Sequence, residues 1–366
     1  MAVYTTINDP SVYFQNTLYT GNGSTAHDIT NTGNANLQPD LIWIKNRSSN
    51  SNPIIQDTSR GINVQSFTDG NASENTNASW GHVNSVATDG FQVDAGSPTS
   101  EANANKNSDN YVAWQWKANG GTTSSNSDGS VTSTVQANTT AGFSVVLYTA
   151  TGSGDITVGH GLGAVPEMIL TKTRSVSYDW RVYASANEVG GAGKSLQLDG
   201  TGAQSTNNSY PSPAPTSTVM TMGRGGDDNN NYANGETIVS YCFRSIPGYS
   251  KIGSFFGNGS TDGPFIYTGF KPAFGIFKRT NTTGNWYMMT GKIGDDGQDG
   301  NPLEDRLLAN AADAEGDMGG GYDFVSNGIK VRHSGGEING NGDTFVYMAF
   351  AENPFVTSDS VPTTAR

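Results

Sequence analysis

Three stretches of this sequence enter on a proline, pass through an apolar run and leave past a lysine six positions on. They are PDLIWIKNR at 39–47, PEMILTKTR at 166–174 and PAFGIFKRT at 272–280, with Lys45, Lys172 and Lys278 as the exit lysines. Each reads as a short buried strand: the run is too short for a helix and proline suits a strand's first position. Two further markers travel with each stretch. An opener, aromatic then glycine-rich, precedes it: LYTGNGS (18–24), LYTATGS (147–153) and FFGNGS (255–260). A closer that ends on a large aromatic follows it: YVAWQW (111–116), IVSYCF (238–243) and FVYMAF (345–350). Pro39 to Trp116 and Pro166 to Phe243 each span 77 residues, and Pro272 to Phe350 spans 78. That agreement defines a triple repeat.

A unit of about 100 residues exceeds the roughly 20–50 of solenoid repeats and suits a self-contained β-sandwich of about 7–9 strands. YVAWQW sets Val112, Trp114 and Trp116 on one face and Tyr111, Ala113 and Gln115 on the other; FVYMAF alternates alike. Both faces are mostly apolar, which places the closers centrally in their sheets. ATDGFQV (87–93) reads as a turn into a strand with Gly90 at positive φ, and VSNGIKV (325–331) reads the same way. TVMTMG (218–223) takes that place in the second repeat. The expected fold is all-β: three tandem antiparallel β-sandwich modules at 1–118, 143–247 and 248–366, with a Gly/Ser/Thr-rich linker at 119–142. Within the linker SVTSTVQAN alternates and suits a strand on a neighbouring surface. The short SIPGYSKI joint (245–252) predicts modules two and three as a rigid pair, with module one a separate body. The best helical candidate is 301–317, as one or two turns.

Composition narrows the function classes. Charged residues make up 14%, against about 25% in typical domains, yet 15 Tyr, 15 Phe and 6 Trp are too many for a disordered polar tract. A net charge of −13 with only 20 scattered Lys and Arg argues against nucleic acid and against an anionic membrane surface. Cys242, the single cysteine, excludes an intrachain disulfide framework and reads as a packed thiol. No apolar run is long enough to insert in a membrane, and MAVYTTINDP lacks both the basic start and the apolar core of a signal peptide.

Catalytic signals are absent. His27, His82, His160 and His333 fall at unrelated repeat positions, and no G-x-S-x-G, H-E-x-x-H or P-loop occurs. Asp57, Asp179, Glu304 and Asp305 could supply a glycosidase pair, but the repeats share no such pair. Acidic loops at 227–234 and 295–301 offer oxygen ligands, and Asp295, Asp296 and Asp299 are weak calcium candidates without the EF-hand pattern. The recurrent lysines read as strand exits whose ammonium reaches water while the stem covers apolar surface. Trp80, Trp180, Trp286 and Tyr287 lie outside the marker strands; they are candidates for adhesion to sugars, or else they cover the core. Neither a catalytic residue nor a cofactor is expected.

With these markers in view, the chain resembles a family of marine bacteriophage structural proteins, described as tail or tail-fibre proteins, with repeated lectin-like modules. The resemblance rests on YFQNTLYTGNGS, QPDLIWIKNR with the later TSRG (58–61), YVAWQWKANG, SDGSVTSTVQANTTAGFSVV, GHGLGAVPEMIL, GYSKIGSFFGNGSTDGPFIYTGFKP, FVSNGIKVR and FVYMAFAENPF, spread over nearly all 366 residues. It implies lectin-like (jelly-roll) modules in a non-enzymatic virion component, made in the bacterial cytoplasm and displayed on the particle. Its implied partners are other virion proteins, host surface glycans and further copies of itself in a homo-oligomer. Within that reading stand a tail fibre or adhesin, a capsid-decorating or head-fibre protein, and a polysaccharide depolymerase; a bacterial surface adhesin is disfavoured by the missing export signal.

Overall fold

The structure, a computed structural model, describes residues 4–76, 78–97, 103–186, 194–211, 213–224, 230–293 and 300–363. It is almost entirely β, in several antiparallel sheets. The first sheet runs, in hydrogen-bonded order, Phe14–Thr20, Asn110–Trp116, Leu41–Asn46, Ile54–Asp57 and Gln65–Phe67. The same order recurs twice: opener, closer, proline strand, then the next two strands. In the second stretch it is Phe143–Thr149, Thr237–Phe243, Met168–Thr173, Arg181–Ala184 and Lys194–Gln197. In the third it is Ser250–Phe256, Thr344–Pro354, Phe270–Arg279, Trp286–Thr290 and Leu303–Leu308. Register repeats as well as order: Leu41 pairs with Trp116, Met168 with Phe243 and Phe274 with Phe350, each two residues past the marker proline.

Further strand pairs pack beside these sheets, as separate small sheets in the first two repeats and as a continuation of the same eight-stranded sheet in the third. His27–Thr30 pairs with Gly90–Asp94, Ile156–Gly159 with Val219–Met222, and Phe265–Tyr267 with Gly328–Val331. Val219–Met222 thus holds the place expected of it. A Cβ on Gly90 would meet the Ile29 carbonyl at 2.0 Å, and one on Gly328 would meet that of Ile266 at 2.4 Å. Close approach therefore requires glycine at both turns, while positive φ, +112°, occurs at Gly90 alone of the two.

Strand alternation sends each sheet's two faces to different cores. Ile42 and Ile44 point into a core private to the first repeat, with Phe91 and Val93 from its small sheet. Leu41 and Trp43, one residue out of phase, point into a core common to all three repeats. Val112, Trp114 and Trp116 join them there, as do Val239, Tyr241 and Phe243, and Val346, Met348 and Phe350. The aromatic residues that end the three closers meet at its centre as a triangle. Ring centroids are 6.0 Å apart for Trp116–Phe243, 5.5 Å for Trp116–Phe350 and 6.0 Å for Phe243–Phe350, every pair edge to face. Such geometry matches the ring quadrupoles. It also brings the same end of all three sheets together, so the repeats share one polarity about the common core.

Three expectations are corrected here. The first repeat is not a separate body, because Trp43, Trp114 and Trp116 are buried against the other two. The 119–142 segment is not a free tether. Ser133–Asn138 pairs with the opener Phe143–Thr149 and Ser124–Asn126 pairs with it in turn, extending the second sheet. Asp40 also anchors the segment's start, accepting the backbone N–H groups of Ala118, Gly120 and Gly121 at 2.7, 2.9 and 2.7 Å. Finally, 301–317 is no helix: Leu303–Leu308 is a strand between Trp286–Thr290 and Gly316–Val325, and sheet pairing overrides local helix preference.

The polarity gives the molecule a base and a tip. Phe14, Phe143 and Ser250 begin the openers at the aromatic triangle, so the connections 117–142 and 244–249 cross there. Both described termini lie at this base, where the Asn8 side chain donates to Ser358 Oγ at 2.8 Å and accepts the Ser358 N–H at 2.8 Å. The glycine-rich loops after the openers lie at the other end.

Candidate functional site

The recurrent lysines do not reach water. Lys45, Lys172 and Lys278 are all fully buried, because the face they share with Leu41, Met168 and Phe274 packs on another repeat. Each ammonium donates to two carbonyls, one six residues on in its own repeat and one in a neighbour. Lys45 takes Ser51 (3.0 Å) and Ala311 (2.9 Å). Lys172 takes Tyr178 (2.5 Å) and Asn71 (2.8 Å), and Lys278 takes Gly284 (2.8 Å) and Thr201 (3.1 Å). The neighbour is the third repeat for the first, the first for the second, and the second for the third. Three equivalent seams thus close a ring within one chain. Burial pulls Lys45 down to about 8, against the opposing charges of Asp69 and Asp313. Burial, aided by the nearby Arg279, likewise pulls Lys278 down to about 8.

Each seam carries one further backbone bond at the same register. The N–H of Glu315 donates to Arg47, that of Glu74 to Arg174 and that of Gln204 to Thr280, at 2.9, 2.9 and 2.8 Å. Two seams add a bidentate ion pair: Arg47–Glu315 at 2.6 and 2.9 Å, and Arg174–Glu74 at 2.7 and 3.0 Å. At the third seam Thr280 and Gln204 stand in those places.

The aromatic candidates divide. Trp180 and Trp286 are buried, eight residues past their lysines, and seal two seams: their indole N–H groups donate to the carbonyls of Phe67 and Gln197, both at 2.8 Å. Exposed platforms they are not. Pro53 holds that position in the first repeat, and the Thr68 hydroxyl donates to the Ala309 carbonyl at 2.7 Å instead. Trp80 is 37% exposed and leans on Phe67. Tyr287 is 8% exposed, its hydroxyl turned toward a surface cleft. Asp295, Asp296 and Asp299, and Asp227 in the other acidic loop, lie outside the described residues. Among the described residues no three His, Cys, Asp or Glu side chains gather as a metal set. No helix among them is long and apolar enough to cross a membrane. Asp57 is committed internally: buried, it pairs with Arg60 at 2.5 Å and accepts the Tyr241 hydroxyl at 2.7 Å. That pairing accounts for the arginine of TSRG. Burial pushes the Cys242 thiol up to about 12.

A third recurring residue escapes the marker pattern. Asn105, Asn231 and Asn339 are buried and clamp the glycine-rich loops of the openers at the tip. Asn105 accepts the Asn22 N–H at 3.0 Å and donates to Ser24 at 2.9 Å. Asn339 does the same with Asn258 (2.9 Å) and Ser260 (2.8 Å), and Asn231 with Thr151 (2.6 Å) and Gly154 (2.7 Å). The available signal is their place, eleven or twelve residues before each terminal aromatic.

Two depressions, of about 380 and 420 Å³, follow Lys271, Asn301, Phe324 and Glu352. Their charges satisfy each other: Lys271 pairs with Glu352 at 2.7 Å. A smaller cleft of about 260 Å³ on the third repeat differs. Tyr287, Arg306, Met318, His333 and residues 335–338 line it. The Tyr287 hydroxyl donates to Glu337 Oε2 at 2.8 Å, and the Asn285 N–H and side-chain amide reach the same oxygen at 3.2 and 3.1 Å. Burial raises the Glu337 carboxyl, but these hydrogen bonds and Arg279 outweigh it and hold it below its usual range. Burial, then the bond to Glu337, pushes Tyr287 up to about 12. His333 Nδ1 accepts the Gly335 N–H at 2.7 Å, leaving Nε2 as the donor to the Met318 carbonyl at 3.1 Å. The Arg306 guanidinium lies over Gly316, where a Cβ would be 3.6 Å from it.

A closed β ring with a loop-bearing tip and one polar cleft is the class of molecule that emerges. Over residues 9–354 the sequence matches a family described as "Domain of unknown function (DUF7483)", and the chain belongs to that family. The match runs through all three repeats as one unit, as the common core does. No match was found among curated proteins or among solved structures.

Proposed function

We propose that this chain is a non-enzymatic structural protein of a bacteriophage virion, displayed on the particle surface as a tail fibre or tail-associated protein that adheres to the host surface through glycans. Its three repeats are read as lectin-like jelly-roll β-sandwiches. One observation carries the reading beyond the sequence resemblance: the three repeats share one polarity, which gives the chain a base and a tip. Both described termini and both inter-repeat connections lie at the base, and Tyr267, 57% exposed, stands there with its hydroxyl 3.3 Å from that of Tyr4. The tip carries the glycine-rich loops, GNGS in the first and third repeats and ATGS in the second, and loops on a scaffold are where recognition usually sits. The homo-oligomer expected of phage fibres narrows accordingly: three-fold packing is met inside one chain, so self-association would use the base or the outer faces.

A capsid-decorating or head-fibre role is the second reading, since a rigid body with both described termini at one end also suits a capsid lattice. Gold-labelled antibody against the chain, imaged on intact particles, separates the two. Label on the tail is the expected result. Label over the capsid selects the second reading, and particles without label overturn both.

A further inference from the structure

Arg306 is the starting point. Among the described residues its guanidinium makes no hydrogen bond and no ion pair, although it lines a cleft that also holds a carboxylate. Arg47, Arg60, Arg174, Arg279 and Arg332 are each paired with an Asp or Glu, and Arg224 and Arg244, which are not, lie outside this cleft. An unpaired guanidinium presents a planar fork that matches a carboxylate in two parallel bonds. Glu337 is oriented and incompletely used: the bonds from Tyr287 and Asn285 all reach Oε2, which leaves Oε1 as an acceptor. Met318 supplies apolar surface in the same cleft. At about 260 Å³ the cleft is smaller than the roughly 300–1,000 Å³ of drug-sized pockets, a size that suits a single ring. Among the described residues, neither of the other two repeats has a tyrosine at the place of Tyr287. At the register of Tyr287, one residue past Trp286, the first repeat carries Ile54 and the second carries Arg181, whose guanidinium lies 3.5 Å from Asp179.

We infer that this cleft is a binding site for an acidic sugar, a hexuronate unit of a surface polysaccharide. Arg306 takes the sugar carboxylate, Glu337 Oε1 accepts ring hydroxyls, and Met318 covers the apolar face of the ring. The inference rests on the adhesion reading above and makes it specific. It places this contact on the third repeat.

Calorimetric titration with the methyl glycosides of glucuronic, galacturonic and neutral glucopyranose rings tests it directly. The full chain and its Arg306→Gln and Glu337→Gln variants are compared, with thermal unfolding as the control for folding. Expected is saturable binding of at least one hexuronide, at least tenfold tighter than the glucoside, and weakened at least tenfold by Arg306→Gln without loss of thermal stability. Glu337→Gln weakens binding of the same hexuronide and leaves the preference for acid over neutral sugar. Absence of binding by both hexuronides, equal affinity for the glucoside, or an Arg306→Gln variant that binds as well as the parent each overturns the site. None of these results touches the virion assignment, which particle labelling decides separately.

Discussion

Trp116 sits in the aromatic triangle where its two counterparts are Phe243 and Phe350, and its indole N–H has no hydrogen-bond partner among the described residues. An unpaired buried donor carries a cost that phenylalanine would not. Trp116→Phe is therefore expected to change the unfolding free energy by less than about 1.5 kcal/mol. Trp116→Ala is expected to cost about 3–5 kcal/mol. Urea titrations of the two variants check the contrast, and equal losses would contradict the packing described. The seam lysines give a pH signature. Lys45 and Lys278 fall to about 8 in the folded chain, below the ordinary lysine value near 10.4. Between those values the unfolded chain binds more protons than the folded one, so stability rises with pH. Above about 10 the sign reverses, because burial holds Tyr241, Tyr249 and Tyr322 well above their ordinary value and unfolded tyrosines lose their protons first. Urea midpoints should climb from pH 8 to 10 and then fall, and a Lys45→Met, Lys278→Met variant should lose the climb.

Among elements, the seams are alike in backbone and unlike in side chains. Thr280 and Gln204 occupy the register at which Arg174 and Glu74 pair. Thr280→Arg combined with Gln204→Glu should install the missing ion pair and stabilise the chain by roughly 0.5–1 kcal/mol, less at high salt. A double-mutant cycle in urea measures the coupling, and a coupling of zero would mean that the third seam has a different geometry. The proline strands were legible in sequence because a proline, an apolar run and a fixed spacing recur. The central place of the closers was legible too, from apolar residues on both faces of YVAWQW and FVYMAF. Invisible was what those faces meet. Lys45 reads as a water-seeking strand exit until Ala311, remote in sequence, is seen to cap it. Trp180 and Trp286 were legible only as either adhesion surface or core cover, since the partners that decide for burial are carbonyls of another repeat. The cleft was half legible: Tyr287 stood out as an aromatic beyond the marker strands, whereas Arg306 and Glu337 carry no repeat signal and come together only through the sheet.

For the molecule as a whole, a common core makes the repeats interdependent. Three private cores would unfold separately, whereas Leu41, Leu170 and Ile276 in one cluster tie the three repeats together. The ring is closed by the seam between the first and third repeats, where Lys45, Arg47 and Glu315 join opposite parts of the sequence. That closure within one chain is the central claim, and a cross-link across this seam tests it most directly. Cysteines at 47 and 315, with Cys242 replaced by alanine, should form a disulfide under mild oxidation, because the two backbones are joined by a 2.9 Å hydrogen bond. A non-reducing denaturing gel should show a single internally linked chain of 38.5 kDa with altered mobility. Linked dimers and trimers, or no link at all, would contradict it.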